Sequence, residues 1–79
     1  MTNDEKKDKK VEVTVDRKKH HVRPGDWRVS DFKAEVKVEP GYDLDQVING
    51  QFMPLDNGAT ITIHGGEVFV SHVPQGGSA

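Results

Sequence analysis

The chain contains no cysteine. This absence excludes a disulfide scaffold, a thiolate metal site and a cysteine nucleophile. The sequence also has no apolar run near the roughly 18 residues that a membrane-spanning helix needs, and its N-terminus is charged where a signal peptide would be apolar. We therefore expect a cytoplasmic protein that has no membrane partner and is folded by packing alone.

The size and the charge of the chain exclude further classes of function. The chain has 79 residues, of which 33% are hydrophobic, so we expect one small domain with no cleft between domains for catalysis. Its 11 lysines and arginines nearly balance 13 aspartates and glutamates. This balance argues against a nucleic-acid binder that relies on neutralising phosphates, so proteins are the expected partners.

Two tails flank the predicted domain, which spans residues 11–73. Residues 1–10 hold no large apolar side chain after Met1. Such a segment does not offset the entropy of ordering, so we predict a disordered charged tail. Residues 74–79 are predicted to form a flexible C-terminal tail that contains a diglycine and a two-residue extension.

The domain begins with a strict alternation of apolar and polar residues. Val11, Val13 and Val15 share one face, which predicts a half-buried strand. The polar residues 17–19 predict a turn into a shorter strand that ends before Pro24. Together these segments predict a hairpin.

A short amphipathic helix follows this hairpin. Val29, Phe32 and Val36 recur at spacings of three and four, which predicts about three turns of helix. Asp26 is the predicted N-terminal cap, because its carboxylate can accept hydrogen bonds from the free N–H groups. Trp27 is expected at the rim of the core.

The remaining sequence reads as strands and turns. Asn49-Gly50 and Gly65-Gly66 are dipeptides that tolerate the positive φ angles of tight hairpin turns, and residues 56–58 predict a further turn. Gly65-Gly66 is therefore interpreted as a hairpin turn rather than a cleavage site. Alternation in the last strand places Val68 and Val70 on one face, so Phe69 is expected to point away from the core.

These elements predict an α+β fold of two layers. One helix covers only one face of a sheet, so the apolar stripe of the helix is expected to pack on a mixed sheet of four to five strands. The other face is left to solvent or to a partner.

The order β-β-α-β-β now supports a family resemblance. The stretch FKAEVKVEPGYDLDQVINGQFMPLDNG, with its Asn49-Gly50 turn, and the last strand leading into VPQGG resemble ubiquitin and its β-grasp relatives over residues 11–77. The segment ATITIHGGEVFVSHV at 59–73 is similar to the multiubiquitin-type domains of bacterial ubiquitination-like operons. The resemblance implies a β-grasp fold and a protein modifier that is not itself an enzyme.

The resemblance gives Gly76 and Gly77 a role in conjugation. Glycine has no Cβ, so enzymes can clamp the extended segment through its backbone. While Ser78 and Ala79 remain, Gly77 has no free carboxylate. By resemblance, a JAMM-type metallopeptidase with a zinc-activated water cuts before Ser78. The alternative interpretation is an inert terminal tail.

Further partners follow from the same resemblance. An activating enzyme would use ATP to adenylate Gly77, and a conjugating enzyme would carry the thioester to target proteins and form an isopeptide or similar bond. The modifier itself would bind no cofactor. Further predicted partner-binding residues are Val73, Pro74 and Gln75. They stand where ubiquitin carries arginines, so a dedicated activating enzyme is inferred. Antiviral defence is a role suggested at the level of the family only.

Val47 and Phe69 are the predicted partner-binding residues of the solvent face of the sheet. On neighbouring strands they would form a small exposed apolar patch. The alternative is that a loop covers them.

Catalysis and metal binding are not expected from the remaining residues. Asp43 and Asp45 share a polar strand face with no sign of a pocket that would raise a pKa. The four histidines lack metal-ligand spacing. Two other functions stay open: a β-grasp sulfur-carrier protein, against which Ser78 and Ala79 count, and a non-covalent interaction module.

Overall fold

Seven strands and one helix occur in residues 9–74, the part of the chain that the computed structural model describes. They are β1 (Val11–Val15), β2 (Lys18–Val22), β3 (Gly25–Arg28), α1 (Val29–Glu35), β4 (Asp43–Ile48), β5 (Gln51–Leu55), β6 (Thr60–Ile63) and β7 (Val68–His72). The predictions for residues 1–8, and those for Gln75, Gly76, Gly77 and the cut before Ser78, lie outside the described residues.

Five strands form one mixed sheet in the order β2-β1-β7-β4-β5. The C-terminal strand β7 lies at its centre, parallel to β1 and antiparallel to β4. Strands β1 with β2, and β4 with β5, are antiparallel hairpins. With α1 on one side, this arrangement is the predicted α+β fold and is β-grasp-like. A second sheet of β3 and β6 was not predicted.

The core lies between α1 and the large sheet. Phe32 of α1 and Phe69 of β7 are both fully buried, with ring centroids 4.8 Å apart. Trp27 packs edge-on against Phe32 at the rim, as predicted, and its indole N–H donates to the carbonyl of Arg23 at 2.8 Å. The buried core residues are Val13, Val15, Val22, Phe32, Val36, Val38, Leu44, Ile63 and Phe69.

The helix is shorter than predicted, and its cap is different. Asp26 lies in β3, where its carboxylate accepts a hydrogen bond from the Thr62 hydroxyl at 2.7 Å. Pairing of β3 with β6 fixes residues 25–28 as strand, so α1 begins only at Val29. The residue before the helix, Arg28, makes no side-chain capping bond.

A lysine of α1 is buried beside the core. Lys33 is 3% exposed, and its ammonium donates to Asn57 Oδ1 at 2.8 Å and to the Pro40 carbonyl at 3.4 Å. These bonds connect the helix to the loops before β4 and before β6.

The two hairpins of the large sheet turn at residues with positive φ. Asn49 and Gly50 have φ of 53° and 78°, so the predicted hairpin between β4 and β5 is confirmed. The first hairpin turns at Asp16 and Arg17, with φ of 52° and 71°. The turn predicted at residues 17–19 is therefore displaced, and Lys18 already belongs to β2.

Gly65-Gly66 does not form the predicted hairpin turn. Strand β6 pairs with β3, whereas β7 pairs with β1 and β4, so the two glycines connect the small sheet to the centre of the large one. Both have positive φ, 117° and 89°. The Glu67 carboxylate accepts the N–H groups of His64 and Gly65 at 2.7 and 2.8 Å and holds this connection.

Candidate binding surface on the open sheet face

Three rows of side chains cross the open face of the sheet, opposite α1. Strand register defines them, because directly opposed residues of paired strands share a face. We name them the apolar row (Phe52, Val47, Val68), the middle row (Pro54, Asp45, Val70) and the acidic row (Asp43 and His72, with Asp56 next to the end of β5).

The apolar row contains the most exposed aromatic side chain of the described residues. Phe52 is 63% exposed, Val68 is 39% exposed and Val47 is half-buried. The structure places Val47 on the open face, where the sequence predicted it. Sequence reasoning missed Phe52, although the Asn49-Gly50 turn supplied the signal: a two-residue loop sets Ile48 against Gln51 and hence Val47 against Phe52.

The prediction that Phe69 lies on the open face is wrong. Phe69 is 0% exposed and packs on Phe32 in the core, while Val68 and Val70 point to the open face. The alternation was read correctly, but the two faces were assigned in reverse. Two valines suggested the core side, yet a phenylalanine buries more apolar surface than either valine. Phe69 is therefore a core residue, and Val68 takes its place in the apolar row.

The middle and acidic rows meet in a charge pair. His72 Nε2 lies 3.1 Å from Asp45 Oδ2, and the Asp45 side chain is only 12% exposed. The hydrogen bond to Asp45, followed by the one between His72 Nδ1 and the Val73 carbonyl at 3.3 Å, raises the pKa of His72 above its ordinary value. Because carboxylate and carbonyl oxygens are both acceptors, the doubly protonated imidazolium satisfies the two contacts at once.

A cleft of about 320 Å³ opens at the acidic row. Asp43, Asp45, Asp56 and His72 supply its polar side chains, and Leu44, Pro54 and Leu55 complete it. Within residues 9–74, the carboxylates of Asp43 and Asp56 take part in no ion pair.

The negative charge of these three rows reflects the uneven distribution of lysine and arginine along the chain, which the sequence analysis did not consider. Lys37 is the last lysine or arginine of the chain. Strands β4, β5 and β7 therefore carry only acidic residues and histidine as ionisable groups. On β1 and β2, by contrast, acidic and basic side chains occur together, and Lys19 Nζ lies 3.3 Å from Glu12 Oε2.

The end of β7 is tied to the first hairpin. The Asp16 carboxylate accepts the Ser71 backbone N–H at 2.7 Å and the Ser71 hydroxyl at 2.5 Å. Beyond this tie, Val73 and Pro74 are exposed. They are two of the three residues predicted at positions 73–75 to bind a partner.

Residues 9–74 contain no group of three or more histidine, aspartate or glutamate side chains placed to hold a metal ion. Nor does α1 have the length and hydropathy of a membrane-spanning helix.

No family model matches the chain, and neither the curated proteins nor the solved structures include a significant match. The β-grasp-like assignment therefore rests on strand order and packing.

Proposed function

We propose that this protein is a ubiquitin-like modifier that is cut between Gly77 and Ser78 and then joined to targets through Gly77. The observation that carries the proposal is the position of β7. This strand is central in a β-grasp-like sheet, and only three residues separate its last residue, His72, from Gly76-Gly77.

The position of β7 suits enzymes that handle a C-terminal segment. The strand is paired on both edges, and Asp16 binds its end at Ser71, so the chain leaves the domain from a fixed point. Pro74 disfavours a helical conformation of Val73 and so favours an extended exit. Two glycines without Cβ atoms then allow an enzyme to approach the backbone closely.

The proposed chemistry belongs to the partner enzymes. A JAMM-type peptidase hydrolyses the Gly77–Ser78 peptide bond, and an activating enzyme adenylates the freed carboxylate with ATP. The acyl group passes to a thiol as a thioester, and a conjugating enzyme transfers it to a target amine. We assign docking of these enzymes to the apolar row, with Phe52 and Val68 beside Val47, together with the exposed Val73-Pro74 segment.

The decisive experiment is the isolation of conjugates from the source cells. An N-terminally tagged chain is purified under denaturing conditions and digested with a protease that cleaves after glutamate. Trypsin is unsuitable, because Lys37 is the last tryptic site and the remnant would be Val38–Gly77. Cleavage after Glu67 leaves the shorter remnant Val68–Gly77 on the modified residue. We expect target lysines that carry this remnant.

Two matched variants make the result specific. A chain that ends at Gly77 should form the same conjugates without peptidase, and a chain that ends at Gln75 should form none. Recovery of only the unprocessed chain, with Ser78 and Ala79 in place, would refute the modifier function. A thiocarboxylate on Gly77 in place of branched peptides would identify a sulfur carrier.

The activation step is tested with purified components. The full-length chain and the chain ending at Gly77 are each incubated with ATP and the activating enzyme encoded beside the gene, and intact masses are measured. We expect a reducible thioester with the shorter chain alone. If neither chain reacts, the protein is a non-covalent binding module.

A further inference from the structure

We propose that the open sheet face binds a segment of another protein that presents a large apolar side chain together with a lysine or arginine. The apolar side chain covers the apolar row, and the cation enters the cleft at the acidic row. This binding does not depend on conjugation through Gly77.

The apolar row is an uncovered apolar surface. Phe52, Val47 and Val68 lie side by side across β5, β4 and β7, and no element of residues 9–74 covers them. Burial of these side chains against a partner favours association, because it removes apolar surface from water. An exposed aromatic residue beside aliphatic neighbours is typical of a protein-binding surface.

The acidic row defines the charge of the partner. His72 contacts Asp45, while Asp43 and Asp56 face the same cleft without a cation from residues 9–74. Lysine and arginine are absent from the chain after Lys37. An incoming cation would therefore be attracted by carboxylates that no local ammonium or guanidinium already neutralises.

The spacing of the rows sets the geometry of the partner. The acidic row lies four residues along β4 from the apolar row, from Asp43 to Val47, which corresponds to roughly 13 Å at about 3.3 Å per residue. The three strands together are about 10 Å wide, which matches the width of one helix. One segment can therefore reach both rows.

The same charges argue against the other occupants. A second copy that docked through these rows would bring further carboxylates, and the lysine of the same face, Lys19 opposite Thr14, already pairs with Glu12. Nucleic acid would be repelled from the acidic row.

The test uses a random peptide library displayed on phage, selected against the purified full-length chain. We expect enriched peptides that combine an aromatic or large aliphatic residue with lysine or arginine, and binding that weakens as salt is added. On titration with such a peptide, backbone amide signals of β4, β5 and β7 should shift in the NMR spectrum.

Matched variants assign the contacts. Phe52→Ser should weaken binding about tenfold, whereas Met53→Ser, on the other face of the same strand and 44% exposed, should not. The double variant Asp43→Asn with Asp56→Asn should weaken binding about threefold. The control Asp31→Asn with Glu35→Asn, exposed on α1, removes the same charge and should leave binding unchanged.

Four outcomes would overturn the proposal. They are a selection without enrichment, enrichment of acidic peptides, binding that the Asp43 and Asp56 substitutions leave unchanged, and a chain that self-associates through Phe52. None of them bears on conjugation, because the selection involves no enzyme and no reaction at Gly77.

Discussion

The imidazole of His72 and the carboxylate of Asp45 lie on neighbouring strands with Nε2 and Oδ2 3.1 Å apart. His72 is the last residue of the central strand, and its Nδ1 contacts the carbonyl of Val73, the residue directly before the C-terminal tail. Protonation of one histidine therefore affects both the sheet and the origin of the tail.

This relationship predicts a pH dependence of stability. The pKa of His72 is raised in the folded protein, above the ordinary value of 6.5. The contribution of the pair is therefore fully present below the ordinary pKa, where His72 is protonated in both states, and is lost as pH rises through the raised pKa. NMR titration of the His72 ring should show a lower pKa in Asp45→Asn. An equal His72 pKa in both proteins would contradict the assignment.

Alanine substitutions at Phe69 and Phe52 test which face of the large sheet is buried. Phe69→Ala should lower the free energy of unfolding by about 3–5 kcal/mol, because it leaves a cavity against Phe32. Phe52→Ala, at an exposed position, should change it by no more than about 0.5 kcal/mol. Urea unfolding measures both.

A small domain has little stability to lose, so Phe69→Ala can fail to fold. Phe69→Leu then provides a folded variant with a smaller loss. Equal effects of alanine at the two positions would contradict the reversed assignment of faces.

The buried Lys33 predicts a coupling with Asn57. Asn57→Ala should cost about 1–3 kcal/mol, because the Lys33 ammonium loses its 2.8 Å acceptor inside the protein. In a Lys33→Met background the same substitution should cost much less, since no ammonium remains to be satisfied. A double-mutant cycle from urea unfolding measures the difference. Additive effects would show that the hydrogen bond contributes nothing.

The structure requires glycine at position 65 but not at position 58. In Gly65→Ala the new Cβ would lie 3.2 Å from the Val11 Cβ, at a φ of 117° that alanine rarely adopts. We expect destabilisation of more than about 1 kcal/mol. Gly58→Ala meets nothing within 4 Å and should be neutral or stabilising by up to about 1 kcal/mol. Thermal unfolding of both variants decides, and a neutral Gly65→Ala would contradict the tight connection.

Much of the local structure could be predicted because its causes are local. Alternating valines specify β1, the Asn49-Gly50 pair specifies the second hairpin, and the spacing of Val29, Phe32 and Val36 specifies the buried stripe of α1. The two-layer architecture followed from one helix and several strands.

The wrong predictions concern residues whose conformation depends on pairing between strands that are distant in the sequence. Strand β3 had no local signal, because it forms only when Gly25–Arg28 pairs with β6. This pairing shortened the helix, displaced the cap from Asp26 and removed Gly65-Gly66 from a hairpin. The open face depended on long-range pairing of β4, β5 and β7: of the two apolar residues predicted there, Val47 was placed correctly and Phe69 was not.

The amino-acid sequence alone determined that a β-grasp-like domain would form and that Gly76-Gly77 would follow its last strand. Only the tertiary structure decided which side of β7 enters the core, and hence that Val68, rather than Phe69, joins Val47 and Phe52 on the open face. The physical reason is that alternation defines the two faces of a strand but does not show which face is buried. Which face is buried depends on the neighbouring strands and on the helix that packs on one side of the sheet.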